Sequence, residues 1–417
     1  MLISKAIKDY SYHLSLFSKN ARFFLTGTFF MGMGFSGYYL LFNLYLRELA
    51  FPESKIGMII SLSTIGTIAA AIPASIFLKN RKVKWVLAIT TPLAVVCTMI
   101  QVTIPIYLVI IVCGALAGVA MTFFQVAAAP FLMRYSTAQE RPYLFSLNYA
   151  LALFAGTVGS LVGGFLPHII QHAGVDLIQA YRITLLIFGG LVLIAIIPYL
   201  SLDEREPPTA SRELKVTPET DWWLVFKLFL PTFLVGLGAG LSIPFINLYF
   251  RDRFTLPSGL IGTYFAINQG LMITGLLLSP PLAQRFGKIA VVIGSQLLSI
   301  PFLIFMGVTG SLPLAVLSFL VRATLMNMAQ PLVTNFAMEA VHEKEQALTN
   351  ALLVMAWSMG RGISANIGGG MIEHYSYAVP FFSTAGLYLF STVLYISFFW
   401  KSGPNIGPGR PVLPTRS

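Results

Sequence analysis

The sequence predicts an all-α membrane protein with twelve transmembrane helices, arranged as two parallel-repeat six-helix bundles. Of its 417 residues, 56% are hydrophobic and only 10% are charged, against roughly 25% in ordinary soluble domains. Apolar runs of the length that crosses a bilayer, about 20 residues, follow one another along almost the whole chain. Short motifs of the first half also return in the second half. So few charges could not cover the surface of a soluble protein of this length, and that class is excluded.

The apolar runs delimit twelve predicted helices joined by short polar loops. Their approximate boundaries are residues 22–47, 55–78, 84–104, 106–133, 143–170, 179–201, 222–250, 257–283, 288–308, 312–338, 346–373 and 377–400. Proline removes a backbone hydrogen bond from a helix, so prolines inside five of these helices predict bends: Pro73, Pro130, Pro244, Pro280 and Pro331.

One internal segment differs sharply from the rest in composition. The stretch SLDEREPPTASRELKVTPE is charged and rich in proline, which is typical of a linker. It divides the twelve helices into six and six. The predicted organisation is a cytoplasmic tail at 1–21, a six-helix bundle at 22–201, a cytoplasmic linker at 202–221, a second bundle at 222–400 and a cytoplasmic tail at 401–417.

The basic residues predict the orientation of the chain. Most of the 27 lysines and arginines fall in the tails and in those loops that share a membrane side with the N-terminus. Loops rich in Lys and Arg stay in the cytoplasm. We therefore expect a multi-pass protein of a bacterial-type cell membrane with both termini cytoplasmic. The net charge of +11 comes largely from these loops, which set the orientation of the chain in the membrane, and it does not indicate a nucleic-acid partner.

The two halves of the chain form a direct repeat. The segment NLYLR at 43–47, followed by Gly57, returns as NLYFR at 247–251, followed by Gly262. The same spacing of about 204 residues aligns Gly163-Gly164 with Gly368-Gly369. Six helices separate the copies, so both copies keep the same orientation. Such a repeat predicts a two-fold pseudo-symmetry axis along the membrane normal and a substrate site where the halves meet.

Two further motifs resemble those of the major facilitator superfamily, and the resemblance covers about residues 20–400. The segment 282–288, LAQRFGK, is similar to the cytoplasmic loop motif of that family, which implies a gating role for Gln284, Arg285, Gly287 and Lys288. The equivalent loop at 78–82, LKNRK, keeps the basic residues and lacks the acid and the glycines.

The second of these motifs lies in predicted helix 5. The segment 159–164, GSLVGG, resembles the glycine-rich motif associated with antiporters, with Ser160 where the family has proline. Helix 11 mirrors it. Small residues at this spacing also let helices approach closely, so tight packing is the alternative to a role in exchange. The family resemblance implies transport by rocking of the two halves, with a cavity lined by helices 1, 4, 7 and 10 and flanked by helices 2, 5, 8 and 11.

Charges inside the spans favour an anionic substrate. All sixteen acids and all five histidines fall at or beyond span ends, so no carboxylate is available at depth for coupling protons to a cationic substrate. Arg322 and Arg361, by contrast, lie about ten and fifteen residues inside helices 10 and 11. A central arginine costs about 2.5 to 3.5 kcal/mol on insertion scales. Each therefore faces a cavity, backbone carbonyls or an anionic ligand, and a structural role remains the alternative.

Polar amides inside the spans complete the candidate substrate site. Each of them is an equally good candidate for a hydrogen bond between helices, worth about 0.6 kcal/mol. Together with the two arginines, the predicted substrate-binding residues are Arg322, Arg361, Gln125, Asn148, Asn268, Gln269, Asn327 and Gln330.

Signatures of an enzyme are missing from the sequence: it has no P-loop, no metal-spaced His/Cys cluster and no catalytic triad in a polar context. We expect no cofactor and no metal.

The predicted function is secondary active transport of a small organic solute, anionic or amphipathic, by a monomer in the lipid bilayer, driven by a proton, another ion or a substrate gradient. Two alternatives remain open: a multidrug efflux transporter, and a membrane receptor or assembly protein that keeps the fold without transport.

Overall fold

A computed structural model describes residues 17–78, 81–137, 140–204, 221–342 and 345–400. Most of the N-terminal tail, the linker from 205 to 220 and the C-terminal tail lie outside these residues, as do Lys79 and Asn80 of the loop at 78–82. Among the described residues every regular element is helical. The all-α prediction is therefore confirmed.

Six long helices form from the first half of the chain. They are α1 (Lys19–Glu48), α2 (Glu53–Leu78), α3 (Val83–Thr103), α4 (Tyr107–Arg134), α5 (Arg141–His172) and α6 (Leu177–Ile194), the last of which is followed by a short helical turn at Ile196–Leu200. Polar side chains begin two of them. Ser18 accepts a hydrogen bond from the Ala21 backbone N–H at 3.2 Å, and Asp176 accepts one from Gln179 at 2.8 Å, so each satisfies an unpaired donor of the first turn.

The second half repeats this order. Its helices are α7 (Trp222–Ser242), α8 (Ser258–Phe286), α9 (Lys288–Val308), α10 (Leu312–Ala340), α11 (Gln346–His374) and α12 (Ala378–Phe399). At Pro244, where a bend was predicted, α7 gives way to a single 3-10 turn and a short helix at Ile246–Phe254. The helices that contain Pro73, Pro130, Pro280 and Pro331 continue through them.

Ten helical segments among the described residues are long and apolar enough to cross a membrane. The long helices α1 and α11 are not among the ten. The repeat also extends to the backbone between helices. Ala50, after α1, and Thr255, after the extension of α7, both adopt the left-handed conformation, with φ of 59° and 52°. These two are the only non-glycine residues with positive φ in the described ranges.

The chain folds into two compact units. The first contains α1, α3 to α6, α2 from Ile65 onward, and residues Leu256–Gln269 at the start of α8. The second contains the start of α2 up to Thr64, α7, α8 from Gly270 onward, and α9 to α12. In the core of the first unit the ring of Phe24 stacks on that of Phe131, with centroids 4.8 Å apart. Each unit therefore includes a helical segment from the other half of the sequence.

Candidate functional site

The predicted substrate-binding residues divide evenly between the two units. Gln125, Asn148, Asn268 and Gln269 belong to the first unit, and Arg322, Asn327, Gln330 and Arg361 belong to the second. Their burial differs widely. Gln125, Gln330 and Arg361 are exposed, Asn148, Gln269 and Asn327 are partly buried, and Asn268 and Arg322 are buried.

Arg322 has a specific partner that the sequence did not indicate. Its side chain is only 5% exposed, and its Nη2 donates a hydrogen bond of 3.0 Å to the hydroxyl of Tyr388 on α12. The guanidinium carbon also lies 6.0 Å from the centre of the Tyr388 ring. Tyr388 was not predicted as a site residue, because a tyrosine in an apolar helix is usually explained by packing alone. The only available signal was that a buried tyrosine hydroxyl normally has a partner.

Arg361 is placed differently from Arg322. It lies on α11 with an exposed side chain, and its backbone is in close contact with α7, where a methyl group added to Gly240 would collide with the main chain at Arg361. Ser364, one turn further on, is fully buried and donates to the carbonyl oxygen of Gly360 at 2.8 Å. The close α7–α11 contact thus fixes the backbone of Arg361 while its side chain remains accessible.

The amide side chains differ in which of their hydrogen-bonding atoms are already paired with other described residues. The Asn327 side chain donates to the carbonyl oxygen of Ala323 in its own helix, at 2.8 Å. In the first unit, the Nε2 of Gln269 lies beside Gly156 of α5, 3.1 Å from where a Cβ atom would stand. The buried Oδ1 of Asn148 and Oε1 of Gln269 have no hydrogen-bond donor among the described residues. These two oxygens are suited to accept hydrogen bonds from a solute or from water.

The segment 282–288, which resembles the loop motif of the family, forms a compact turn between α8 and α9. Gly287 has a φ of +89°, a conformation that other residues rarely adopt, and it directly precedes the first turn of α9. Lys288 then pairs with Glu339 at the end of α10, with Nζ and Oε1 2.5 Å apart, and donates to Asn335 at 2.7 Å. Gln284 and Arg285 are exposed, and Arg285 lies over the ring of Phe286. The sequence had identified Lys288 without its acidic partner.

The repeated glycines of the first unit pack against each other. A Cβ atom at Gly262 of α8 would collide with the carbonyl oxygen of Ser160 on α5, and one at Gly164 would lie 2.7 Å from the carbonyl oxygen of Ser258. The Ser258 hydroxyl donates to the carbonyl oxygen of Gly164 at 2.8 Å. The glycine-rich motif of α5 therefore brings α5 into direct backbone contact with the start of α8.

The second unit contains the same contact 205 residues away in sequence. A Cβ atom at Gly57 of α2 would lie 2.5 Å from the carbonyl oxygen of Ala365 on α11, and one at Gly369 would collide with the backbone at Glu53. The Ser61 hydroxyl accepts a hydrogen bond of 2.9 Å from the backbone N–H of Asn366. Gly57 and Gly262, which the sequence indicated only as repeat markers, thus lie at close backbone contacts between helices.

Comparison with known proteins identifies the class. The family model of the Major Facilitator Superfamily matches residues 24–230 and again residues 228–414. The chain belongs to this superfamily of transporters, and the predicted multi-pass membrane fold is confirmed.

Similar individual proteins fall in the same class. Quinolone resistance protein NorA of Staphylococcus aureus is 27% identical over 178 residues, which are 41% of this chain and 44% of NorA, so the match spans less than half of that relative. Two solved structures share the fold at low identity. A bacterial homologue of the human lysosomal transporter Spinster is 12% identical with a TM-score of 0.74, covering 90% of this chain and 95% of its own. The nucleoside transporter NupG is 15% identical with a TM-score of 0.73, covering 92% and 99%.

Proposed function

We propose that the protein is a secondary active transporter that moves a small amphipathic organic solute with an anionic group across the cell membrane by alternating access. The observation that supports this proposal is the distribution of charge: two arginines fall inside the predicted spans, and all sixteen acids fall at or beyond their ends. A permanently positive interior favours an anion and disfavours a cation.

Arg361 is the proposed contact for the anionic group. Its exposed side chain on α11 can offer two parallel N–H donors to a carboxylate or a similar oxyanion. Apolar side chains of the spans would contact the body of the solute. A solute with one acidic group and an apolar skeleton fits this proposal.

The glycine contacts support the alternating-access part of the proposal. The start of α8 packs on α5, and the start of α2 packs on α11, in each case backbone against backbone. Helices without bulky side chains between them can separate and return to one position. We infer that the bundles at 22–201 and 222–400 rock about such contacts, with the linker at 202–221 and both termini in the cytoplasm, in a monomer driven by an ion or substrate gradient.

The test uses the purified full chain in proteoliposomes under imposed pH and potential gradients. Three fluorescent probes would be compared: the organic anion carboxyfluorescein, the cation ethidium and a zwitterionic quinolone. We expect gradient-dependent movement of the probes that carry a carboxylate. Arg361→Gln should slow it about tenfold or more, because a hydrogen bond to a charged group is worth about 1.5 to 3 kcal/mol. Arg253→Gln, an exposed arginine after α7, is the matched control and should leave the rate unchanged.

Two outcomes would overturn the proposal. Movement of ethidium alone, unaffected by Arg361→Gln, would show that the positive interior does not select an anion. No movement of any probe by a folded protein under either gradient would favour a receptor or assembly role with the same fold.

A second candidate function is export of hydrophobic drugs. The similarity to NorA, a quinolone resistance protein, favours it. Cells that express the chain would then accumulate less ethidium and less quinolone than cells that do not, and Arg361→Gln would leave ethidium export intact. The same variant therefore separates the two candidates.

A further inference from the structure

Arg322 and Tyr388 form a buried pair with unused hydrogen-bond donors. The Tyr388 oxygen accepts a hydrogen bond from Arg322 at 3.0 Å, so its own hydroxyl hydrogen must point elsewhere, and no described residue accepts it. The Nε of Arg322 is also buried without an acceptor among the residues that the structure describes. Both side chains are at least 95% buried. Two N–H or O–H groups are therefore left without partners inside the second unit.

Ser318 adds a third unused donor. It lies one helical turn before Arg322, on the same face of α10, and is fully buried with no partner for its hydroxyl in the described ranges. Other buried hydroxyls of this protein donate to the carbonyl four residues earlier, as Ser364 does to Gly360 and Thr384 does to Pro380, both at 2.8 Å. The Ser318 hydroxyl makes no such bond and remains available.

The charge of Arg322 is also uncompensated. A guanidinium keeps its proton in proteins, and burying a charge without a counter-charge is costly. Among the described residues no carboxylate pairs with Arg322. The first half of the chain has no equivalent pair, because the residues 205 positions before Arg322 and Tyr388 are Ala117 and Ile183. The arginine and tyrosine are thus a feature of the second half alone, and no carboxylate among the described residues supplies a negative charge to them.

We propose that Arg322, Tyr388 and Ser318 bind a small inorganic anion of the chloride class between α10 and α12. A fixed positive charge with three unused hydrogen-bond donors beside it suits an anion, and the complete burial of Ser318 and Tyr388 excludes a large organic solute. The anion supplies the missing negative charge, and through Arg322 and Tyr388 it ties α10 to α12. Water would satisfy the hydrogen bonds and would leave the charge uncompensated. The proposal goes beyond transport and does not depend on the solute that is moved.

Binding of radioactive chloride to the purified full chain in chloride-free gluconate buffer tests the proposal directly. We expect saturable binding of one chloride per chain, displaced by bromide and nitrate. Arg322→Gln should abolish it. Tyr388→Phe should weaken it about tenfold, through loss of one hydrogen bond to a charge, and Ser318→Ala a few-fold. Arg253→Gln removes an exposed arginine outside both proposed sites and is the control, with binding expected to stay as in the unchanged protein.

The same samples provide a second readout. Chloride should raise the unfolding temperature of the unchanged protein and of Arg253→Gln, and should leave that of Arg322→Gln where it is. If Arg322→Gln does not fold, Tyr388→Phe and Ser318→Ala decide the question, since each removes only a hydroxyl. No saturable chloride binding by the folded protein, or binding that all three variants leave unchanged, would overturn the proposal and assign the space to water.

Discussion

The hydroxyl of Tyr45 donates a hydrogen bond of 2.7 Å to the backbone carbonyl oxygen of Val102. Val102 lies in the last turn of α3, where carbonyl oxygens have no partner within the helix. The second half makes the same bond: the hydroxyl of Tyr249 donates to the carbonyl oxygen of Met306, in the last turn of α9, at 2.8 Å. The tyrosine of each NLY motif therefore completes the end of the third helix in its own half.

Removing either hydroxyl should cost similar stability. We expect Tyr45→Phe and Tyr249→Phe each to lower the free energy of unfolding by about 1 kcal/mol, because a buried carbonyl oxygen loses its donor. Thermal unfolding of the purified variants in detergent measures the change. Tyr375→Phe, at a tyrosine that is 76% exposed, should leave stability unaltered. An effect of only one of the two buried substitutions would show that the repeated bonds are not energetically equivalent.

The glycine contacts predict where a single methyl group is not tolerated. Gly262→Ala and Gly57→Ala should each destabilise the protein by about 1 to 3 kcal/mol, because the new Cβ atom would meet a backbone carbonyl that cannot move aside. Transport should fall with them. Unfolding temperature and proteoliposome transport of the same samples provide the two measurements.

Gly270→Ala is the matched control for Gly262→Ala. It lies in the same helix, two turns further on, and a Cβ atom there meets no atom within 4 Å. Alanine has a higher helix propensity than glycine, so this variant should be as stable as the unchanged protein or more stable, by up to about 1 kcal/mol. Equal damage from the Gly262 and Gly270 substitutions would argue that backbone flexibility, and not close packing, sets the requirement for glycine.

The ion pair between Lys288 and Glu339 should contribute little to stability. Both side chains are partly exposed, at 31% and 40%, and such pairs are worth about 0.2 to 1 kcal/mol. A double-mutant cycle with Lys288→Gln and Glu339→Gln should give a coupling energy in that range, smaller at high salt. If the loop motif gates transport, the single variants should slow transport far more than they change stability, and the charge swap Lys288→Glu with Glu339→Lys should restore part of the rate.

Glu204 predicts a pH dependence of stability. This carboxylate follows the last turn of the first half, is buried, and accepts a hydrogen bond of 3.1 Å from the Lys84 backbone N–H at the start of α3. Burial raises the pKa of Glu204, and the backbone bond and Arg134 only partly oppose this. The folded protein therefore holds this proton more tightly than the unfolded chain. Stability should fall as pH rises from the pKa of an exposed glutamate to the higher pKa of Glu204.

Glu204→Gln isolates this contribution. The amide oxygen can still accept the backbone bond and carries no charge, so the fall in stability across that pH range should disappear. Glu204→Ala removes the acceptor as well and should be less stable than Glu204→Gln throughout. Unfolding temperatures measured from mildly acidic to neutral pH would test both variants. A pH dependence that persists in Glu204→Gln would have to come from another group.

Much of the fold was predictable because it depends on the composition of short segments of the sequence. Span positions follow from runs of apolar residues, and most predicted helix boundaries agree with the structure within a few residues. The break at Pro244 was predicted, since proline removes a helix hydrogen bond. The interruption of the sixth helix at Ala195 was not predicted, although Pro198 follows it and cannot donate a backbone hydrogen bond to Ile194 four residues earlier.

The candidate site was predictable only in part. Arg322 stood out because a charge inside an apolar span is rare, whereas its partner Tyr388 is one tyrosine among 17 and lies 66 residues further on. In the same way Lys288 was found through its motif, and Glu339 was classed only as an acid at a helix end. Partners of this kind depend on which face a helix turns to its neighbour, and the composition of one helix does not contain that information.

By itself the sequence determined the class of the protein, its helices and its internal repeat, because each is a property of composition or spacing along the chain. Tertiary structure alone decided that Arg322 is buried against Tyr388 while Arg361 is exposed, and that Gly57 and Gly262 meet the backbones of α11 and α5. The physical reason is that burial and contact depend on the rotation and crossing of helices far apart in sequence, and both are set by the packing of many side chains at once.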